Sequence, residues 1–384
     1  FPVGPSYSAA ILSNACRVAC NRSSTTFFGL RTLSLIAVQI RSLLRTNLHM
    51  MVPDILRLSS RQPCRVCANT SDNARHTARE MMFGLGDTFE YIECRSCGCL
   101  QIADIPENLS RFYPDRYYGS EAIRDVAAPW HKRLAHRQLM DYWLAGRNPV
   151  GRFLSRRYSP PVFVEWARRG CVRLDSAILD VGCGTGSLLL SLARHGFSNL
   201  LGADPFIEHE IRYGSGVRVL RRHVAELDGS FDFIMLHHSF EHMPDPLPTL
   251  QKLYSHLNPD RYVLIRTPVA ASFAWREYGV DWVQLDAPRH LFVHSLRSIQ
   301  LLAEGAGFKV LDVVFDSTEF QFWGSEQYRC GVPLEDDRSF SANPERSIFS
   351  PDDIRRFKAR AAELNALQDG DQACLYLYKD RSTE

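Results

Sequence analysis

The chain has 384 residues, 45% of them hydrophobic, which is enough for one large domain with one or two small modules. Its formal net charge of +2, and the lack of any apolar run near the roughly 20 residues of a bilayer span, argue against a polybasic chain and against a membrane-spanning one. Eleven cysteines, an odd number, argue against a secreted disulfide framework and favour a cytoplasmic protein.

Residues 1–53 differ in composition from the rest of the chain. They contain five arginines and no acidic residue, and the sequence starts at Phe1 rather than at a methionine. Transit peptides share this composition, and a transit peptide would send the protein to an organelle. A reading frame extended upstream of a start at Met50 or Met51 would also produce it, and we favour this second explanation. In both cases we expect a disordered or targeting extension that is not part of the fold.

Two C-x2-C pairs, separated by 26 residues, lie in the next segment, residues 54–110. Two such pairs can place four thiolates around one zinc ion, so we predict a small zinc ribbon with a closed, structural site. Gly98 permits the tight turn after the second pair, and Ala68 holds the same place after the first. Four unrelated cysteines are the alternative, and a redox pair is disfavoured because neither pair lies at a strand–helix junction. The predicted ligands are Cys64, Cys67, Cys94 and Cys97.

Residues 111–173 form a basic segment with 13 basic and 5 acidic residues, which we expect to be a helical linker. Its charge could steer a phosphorylated substrate, or it could be a solvated helical face rich in arginine. An aromatic stretch at its start contains Tyr113, Tyr117 and Tyr118. These rings would suit a sugar-binding pocket, and they would equally suit contacts that join the ribbon to the main domain.

A glycine loop begins the last segment, residues 174–384. The apolar run 177–181 leads directly into Gly182, Gly184 and Gly186, and a leucine-rich helical pattern follows. This is the strand–turn–helix opening of a doubly wound α/β domain. Ser187 stands where a dinucleotide-binding loop has its third glycine, so a ligand with ribose and adenine but no pyrophosphate fits better than NAD.

Further strands with polar ends follow the glycine loop. The second predicted strand ends at Asp204, about 20 residues beyond the glycines, where a carboxylate can accept hydrogen bonds from both ribose hydroxyls. The fourth, a buried strand starting at Phe231, ends abruptly in a segment with the polar residues His237, His238, Glu241 and His242. A proline-marked helix start, a turn and another strand at 262–268 come next.

These segments together resemble the class I S-adenosylmethionine-dependent methyltransferases. The resemblance implies a doubly wound α/β fold with a seven-stranded, mostly parallel sheet, here preceded by the ribbon. It also implies that S-adenosylmethionine is the cofactor. The cofactor-binding residues that follow from it are Asp180, Gly182, Cys183, Gly184, Gly186, Asp204, Val224 and His237.

Methyl transfer to an oxygen requires a group that removes the proton of the acceptor. We predict His238, Glu241 and His290 as catalytic residues, and His242 is a further candidate, because histidine titrates near neutral pH. The alternatives are that the histidines pack against the cofactor and that Glu241 and His242 only cap a helix. Two insertions, 269–295 and 319–371, are rich in aromatic residues such as Trp282. They are predicted to be pocket walls or a lid more than core.

The predicted activity is methyl transfer to a small polar acceptor, a sugar or nucleotide sugar. The whole chain is similar to bacterial methyltransferases associated with surface polysaccharide and sugar biosynthesis. Methylation of RNA or protein gripped by the ribbon is an alternative, and so is a cofactor-binding scaffold without turnover. The 21 basic and 30 acidic residues of 174–384 argue against nucleic acid as a partner. An intact glycine loop with Asp204 argues against the scaffold.

Overall fold

The computed structural model describes residues 62–113 and 129–381. The extension at 1–53 lies outside the described residues, as do Tyr117 and Tyr118. The described α-helices are α1 (Trp130–Ala145), α2 (Pro149–Leu154), α3 (Phe163–Arg169), α4 (Ser187–Arg194), α5 (Pro246–His256), α6 (Phe273–Tyr278), α7 (Leu296–Gly305), α8 (Phe320–Arg329) and α9 (Pro351–Ala366). Among these helices, none has the length and apolar character needed to cross a bilayer.

The strands of the described residues form two sheets. The strands are β1 (Ala74–Arg79), β2 (Thr88–Glu93), β3 (Leu100–Ile102), β4 (Ala177–Val181), β5 (Asn199–Ala203), β6 (Ile211–Arg212), β7 (Arg218–Leu220), β8 (Phe231–His237), β9 (Leu257–Pro268), β10 (Phe292–Val293), β11 (Lys309–Phe315) and β12 (Gln372–Lys379). The small sheet has the order β1-β2-β3-β10, and the large sheet has the order β11-β12-β9-β8-β4-β5-β7-β6.

The large sheet is mixed, and the predicted α/β class is confirmed. Its five central strands, β9, β8, β4, β5 and β7, run parallel to one another. β12 is antiparallel to both of its neighbours, β9 and β11, and β6 is antiparallel to β7. The strand order reverses at β4, so the carboxyl ends of β4, β5 and β8 border a crevice at one edge of the sheet.

The sheet has eight strands in the described residues rather than the predicted seven. The additional strand, β6, has only two residues, and Ile211 pairs with Val219 of β7. A tight turn makes this pairing possible, because Tyr213 N donates to Val217 O at 2.9 Å and Gly216 has a φ of +91°. A two-residue strand has no hydrophobic alternation, so the sequence pattern could not predict it.

Both faces of the large sheet are covered by helices, which explains why its central strands are nearly continuous apolar runs. Leu179 of β4 packs on one face in a cluster with Leu250 of α5. Its neighbour Ile178 points to the other face and packs in a cluster with Leu189 of α4. The result is a rigid frame that holds the loops at the strand ends.

The cysteine-bearing segment and the segment after β9 build one small sheet together. Phe292 and Val293 of β10 pair with Gln101 and Leu100 of β3, so the fourth strand comes from almost 200 residues further along the chain. Arg289, whose side chain is fully buried, binds the equally buried Glu80 with an Nη2–Oε1 distance of 2.9 Å. The two segments therefore share one core.

The aromatic insertions are core and not pocket walls, so that prediction was wrong. Trp282 is fully buried, and Trp275, Tyr278, Phe322 and Tyr328 are at most 7% exposed within the same hydrophobic cluster. The Trp282 indole N–H donates to Asp371 Oδ2 at 3.0 Å. Aromatic side chains bury a large area each, so a segment poor in aliphatic residues can still supply a core.

Candidate functional site

Four cysteine sulfurs converge in the loops before β1 and β3. Cys64 Sγ lies 3.7 Å from Cys97 Sγ, and Cys67 Sγ lies 3.5 Å from Cys94 Sγ. A tetrahedral zinc ion with Zn–S bonds of roughly 2.3 Å holds its sulfurs roughly 3.8 Å apart. The Val66 N–H points to Cys64 Sγ at 3.4 Å, which favours a thiolate. The donor set and its spacing therefore fit a closed tetrahedral metal site.

Both cysteine pairs end in the same backbone turn. Ala68 N donates to Cys64 O, and Gly98 N donates to Cys94 O, each at 2.8 Å. Gly98 has a φ of +72°, and Ala68 adopts a φ of +59°, a left-handed conformation that is strained for alanine. Cys99 is buried outside the group of four.

The glycine loop follows β4 and faces an open crevice. Gly182 has a φ of +74°, and a Cβ on it would lie 2.4 Å from the Cβ of Ser239, so no other residue fits there. Gly184 has a φ of +54°, and a Cβ on it would meet no atom within 4 Å. The loop therefore passes beside empty space at Gly184, and Gly186 leads directly into α4.

Asp204 follows the last residue of β5 and holds the glycine loop. Its Oδ2 accepts a hydrogen bond from Gly184 N at 2.8 Å, and its Oδ1 accepts one from Phe206 N at 2.9 Å. Each oxygen keeps a second lone pair for a ligand hydroxyl. Asp180 lies buried in β4, and burial, with the charge of Asp204 as a second cause, raises its pKa to about 7.

A cavity of about 610 Å³ opens between the ends of β4, β5 and β8 and the start of α5. Of the predicted cofactor residues, Gly182, Asp204 and Val224 line it. Among the others, Asp180 is buried in β4, Cys183 has its sulfur 3.4 Å from the carbonyl oxygen of Gly184, and Gly186 begins α4. His237 packs against Trp166, with the ring centroids 4.3 Å apart, and burial, followed by the charge of Arg266, lowers its pKa to about 3.

The three predicted catalytic residues meet beside this cavity. Glu241 Oε1 lies 3.4 Å from His238 Nδ1 and 4.0 Å from His290 Nε2. Glu241 is fully buried, whereas His238 and the neighbouring His242 line the cavity. His238 has a φ of +50°, a strained backbone conformation of the kind that is common at functional sites. Asp286 approaches from the other side, 3.9 Å from His290 Nε2.

Burial and neighbouring groups of opposite charge act against each other on the pKa of Glu241 and on the pKa of His290. Burial by itself would raise the pKa of Glu241, but the neighbouring imidazole of His238, followed by those of His290 and His242, lowers that pKa to about 2. Burial lowers the pKa of His290 to about 4, with His242 acting in the same direction and Asp286 and Glu241 against it. At neutral pH, Glu241 is therefore an anion and His290 is neutral.

Sequence reasoning missed the residues that hold this group in place. Arg266 Nη1 donates to His238 Nε2 at 2.6 Å, and Thr267 Oγ1 donates to Glu241 Oε2 at 2.9 Å. Both are polar residues that follow the apolar run of β9, which is the signal that could have found them. Tyr113 from the aromatic stretch also reaches the group, with its hydroxyl 3.1 Å from His242 Nδ1.

Comparison with known proteins relates this chain to methyltransferases. The family model described as "Methyltransferase domain" matches residues 127–313. A ubiquinone biosynthesis O-methyltransferase of Xanthomonas euvesicatoria is 30% identical over 171 residues, 40% of this chain and 71% of that protein. Its counterpart in Pseudomonas paraeruginosa is 28% identical over 172 residues, 40% of this chain and 73% of that protein. A solved mycolic acid cyclopropane synthase is 17% identical, with a TM-score of 0.36 over 66% of this chain and 99% of that one.

Proposed function

The chain belongs to the S-adenosylmethionine-dependent methyltransferases, and we propose that it transfers the methyl group to a hydroxyl oxygen of a small polar acceptor. The observation that carries this proposal is the position of the Glu241, His238, His242 and His290 group at the wall of the 610 Å³ cavity. The glycine loop and Asp204 border the same cavity from the other side, so cofactor and acceptor would meet inside it.

The cavity walls suit the cofactor. Asp204 offers carboxylate lone pairs to the ribose hydroxyls, and the open space beside Gly184 leaves room for the part of the ligand that passes the loop. Val224 and Ala225, in the 224–226 turn, form the apolar part of the wall proposed for the adenine. We propose a supporting role for Asp180, Cys183, Gly186 and His237, which shape the loop and the strand ends around these contacts.

Bound S-adenosylmethionine supplies an electrophilic methyl group on a positively charged sulfur. In that reaction the acceptor oxygen would bond to the methyl carbon, the sulfur would keep the electron pair of the C–S bond, and the hydroxyl proton would leave to solvent, which is the part that residues of this chain can assist. The role proposed for this chain is to hold the acceptor oxygen in line with the methyl carbon and to ease the loss of that proton. We assign these tasks to Glu241, His242 and His290.

His238 has a positioning role in this proposal. An arginine can only donate, so the 2.6 Å contact from Arg266 uses the lone pair on His238 Nε2 and leaves the proton on Nδ1, facing Glu241. A histidine held in this way has no free lone pair for an incoming proton. We therefore propose that His238 orients Glu241 and that Arg266 fixes His238.

Two acceptor classes deserve direct comparison. The resemblance to sugar-associated methyltransferases favours a sugar or nucleotide sugar, and the basic residues of 111–173 would suit its phosphates. The names of the two curated relatives favour O-methylation in ubiquinone biosynthesis. Both classes present hydroxyl oxygens, as the proposed chemistry requires.

We also propose that Cys64, Cys67, Cys94 and Cys97 bind one structural zinc ion. The four sulfurs lie within 4.8 Å of one another, and all except that of Cys67 belong to buried residues. Four thiolates leave no open coordination position, so this zinc stabilises the small sheet and takes no part in methyl transfer.

The test is a transfer assay with methyl-labelled S-adenosylmethionine, using nucleotide sugars, phenolic compounds and bulk RNA as acceptors. We expect label in a hydroxyl-bearing small molecule and none in RNA. Glu241→Gln should lower turnover by roughly 10²–10⁴-fold with nearly unchanged cofactor affinity. Glu90→Gln on β2, away from the cavity, is the matched control. Label only in RNA, or full turnover by Glu241→Gln, would contradict the proposal.

A further inference from the structure

A carboxylate and two imidazoles come together where β8 ends and the 269–295 segment crosses it. One ligand atom from each of Glu241, His242 and His290 lies within 4.8 Å of the other two. The two imidazole rings are 4.8 Å apart between centroids. From this arrangement we propose that the three residues bind a divalent transition-metal cation such as Mn²⁺, Fe²⁺ or Zn²⁺, at a site separate from the four cysteines.

The hydrogen bonds of both histidines leave a lone pair for such a cation. His290 Nδ1 lies 2.8 Å from Gln284 O, and His242 Nδ1 lies 2.8 Å from Arg289 O. A carbonyl oxygen can only accept, so both Nδ1 atoms carry the proton and both Nε2 atoms carry the lone pair. Metal-binding histidines almost always donate their other ring N–H in this way, which fixes the ring for the metal.

Glu241 supplies the charge that a cation requires. Its side chain is fully buried, and Oε1 has no hydrogen-bond partner of good geometry among the described residues. Among the described residues, the ion-pair partners of Glu241 are two histidines, His238 and His290. A buried carboxylate oxygen without a full partner is costly, and a bound cation removes that cost. Thr267 holds the other oxygen and so fixes the direction of Oε1.

The distance between Glu241 and His290 is one that a single ion can bridge, and His242 offers a ligand atom within 4.8 Å of both. Glu241 Oε1 and His290 Nε2 are 4.0 Å apart, and bonds of roughly 2.0–2.2 Å to each span that separation. Asp286 Oδ2 lies 3.9 Å from His290 Nε2, but it accepts a hydrogen bond from Arg289 Nε and is not one of the three proposed ligands. His242 lines the 610 Å³ cavity, so the remaining coordination positions face the space proposed for the acceptor.

The role of this cation rests on the proposed methyl transfer. A hydroxyl bound to a divalent cation loses its proton more easily, because the positive charge stabilises the oxygen anion. The proton then goes to water in the cavity, and the oxygen attacks the methyl carbon as described above. Binding of the cation itself depends only on the side chains and can be measured without any acceptor.

Mn²⁺ is the probe, because it favours carboxylate ligands, accepts imidazole and competes poorly for thiolates. The full-length protein is treated briefly with a chelator, and the loss of free Mn²⁺ on titration is followed by its electron paramagnetic resonance signal. We expect one Mn²⁺ per chain. Glu241→Gln and His242→Ala should each weaken binding by at least about tenfold. His209→Ala, in an exposed loop, is the control and should bind Mn²⁺ as the wild type does.

Two results would overturn the proposal. The first is no Mn²⁺ uptake by the wild-type protein at millimolar concentration. The second is equal uptake by the wild type and all three variants, which would place the ion elsewhere. Glu241→Gln conserves side-chain shape and His242 is only half-buried, so at least one variant should fold, as circular dichroism can verify. Titration of S-adenosylmethionine into the same samples reports on the proposed function separately.

Discussion

Two carboxylates beside the glycine loop differ in their surroundings. Asp204 lines the cavity and accepts backbone hydrogen bonds on both oxygens. Asp180, one strand away, has the same 3% exposure but does not line the cavity, and it lies close enough to Asp204 for the two charges to repel. An ionised Asp180 is therefore a destabilising feature of the ligand-free protein, and the cationic sulfur and amino group of a bound cofactor would ease it.

Replacing this carboxylate should stabilise the ligand-free protein in a pH-dependent way. The pKa of Asp180 is raised to about 7 in the folded state, from an ordinary value of 3.8. Its contribution is therefore most favourable below pH ~4 and is lost as the pH rises to about 7, by roughly 4 kcal/mol at most. Asp180→Asn should raise the melting temperature at pH 8 and change it little at pH 4.

Thermal unfolding of both proteins at the two pH values measures the effect. Asp175→Asn, at an exposed position before the same strand, serves as the control. A melting temperature for Asp180→Asn that is unchanged or lower at pH 8 would show that the ionised Asp180 carboxylate does not destabilise the folded protein.

The sequence predicted some of these residues and missed others for a physical reason. Gly182, Gly184 and Asp204 act through local geometry, at the end of a strand, so a short motif is enough to find them. Arg266 and Thr267 act on His238 and Glu241 across two neighbouring strands, more than 25 residues apart. Contacts of that kind depend on the sheet order, which a single sequence does not display.

The 269–295 segment shows that this limit of prediction from a single sequence also applies to a whole segment. Its aromatic composition suggested a lid, because exposed aromatic residues often bind ligands. Instead, Trp282 lies in a core that includes the cysteine-bearing segment, and its indole N–H donates to Oδ2 of the buried Asp371. The segment still serves the site, because its continuation carries Asp286, Arg289 and His290 to the end of β8.

Truncation of this tryptophan should therefore lower stability. We expect Trp282→Ala to reduce the free energy of unfolding by about 3–5 kcal/mol, since it removes a large buried side chain. Trp130→Ala, at the exposed start of α1 where the ring is 70% exposed, should change it by less than about 0.5 kcal/mol. Urea unfolding measures both. A Trp282→Ala protein with wild-type stability but weakened ligand binding would support the lid instead.

The described residues belong to one compact unit, Ser59–Glu384. The small sheet takes its fourth strand from residues 292–293, and Cys64, Cys94 and Cys97 share a hydrophobic cluster with Trp275 and Trp282. The cysteine spacing and the α/β pattern could both be predicted from the sequence. The packing of the two parts against each other could not be predicted, because β10 is only two residues long and Arg289 and Glu80 are 209 positions apart in the sequence.

Loss of the proposed zinc should consequently destabilise more of the protein than the small sheet. We expect chelation to lower the temperature of the main unfolding transition by about 5–10 °C, because the cysteine segment and the 269–295 segment pack in one core. Differential scanning calorimetry with and without a strong chelator measures this. Cys94→Ser should reproduce the change without chelator. A separate early transition with an unchanged main one would mean that the two parts unfold independently.

Calorimetric titration of S-adenosylmethionine shows whether the glycine loop binds this cofactor. Gly184→Ala and Gly146→Ala are a matched pair, because both glycines have positive φ values, +54° and +70°, and a Cβ meets nothing within 4 Å at either position. The wild type and Gly146→Ala should bind one cofactor per chain, and Gly184→Ala should bind at least about tenfold more weakly, a loss of roughly 1.4 kcal/mol. No heat with S-adenosylmethionine, or equal binding by all three proteins, would contradict the account.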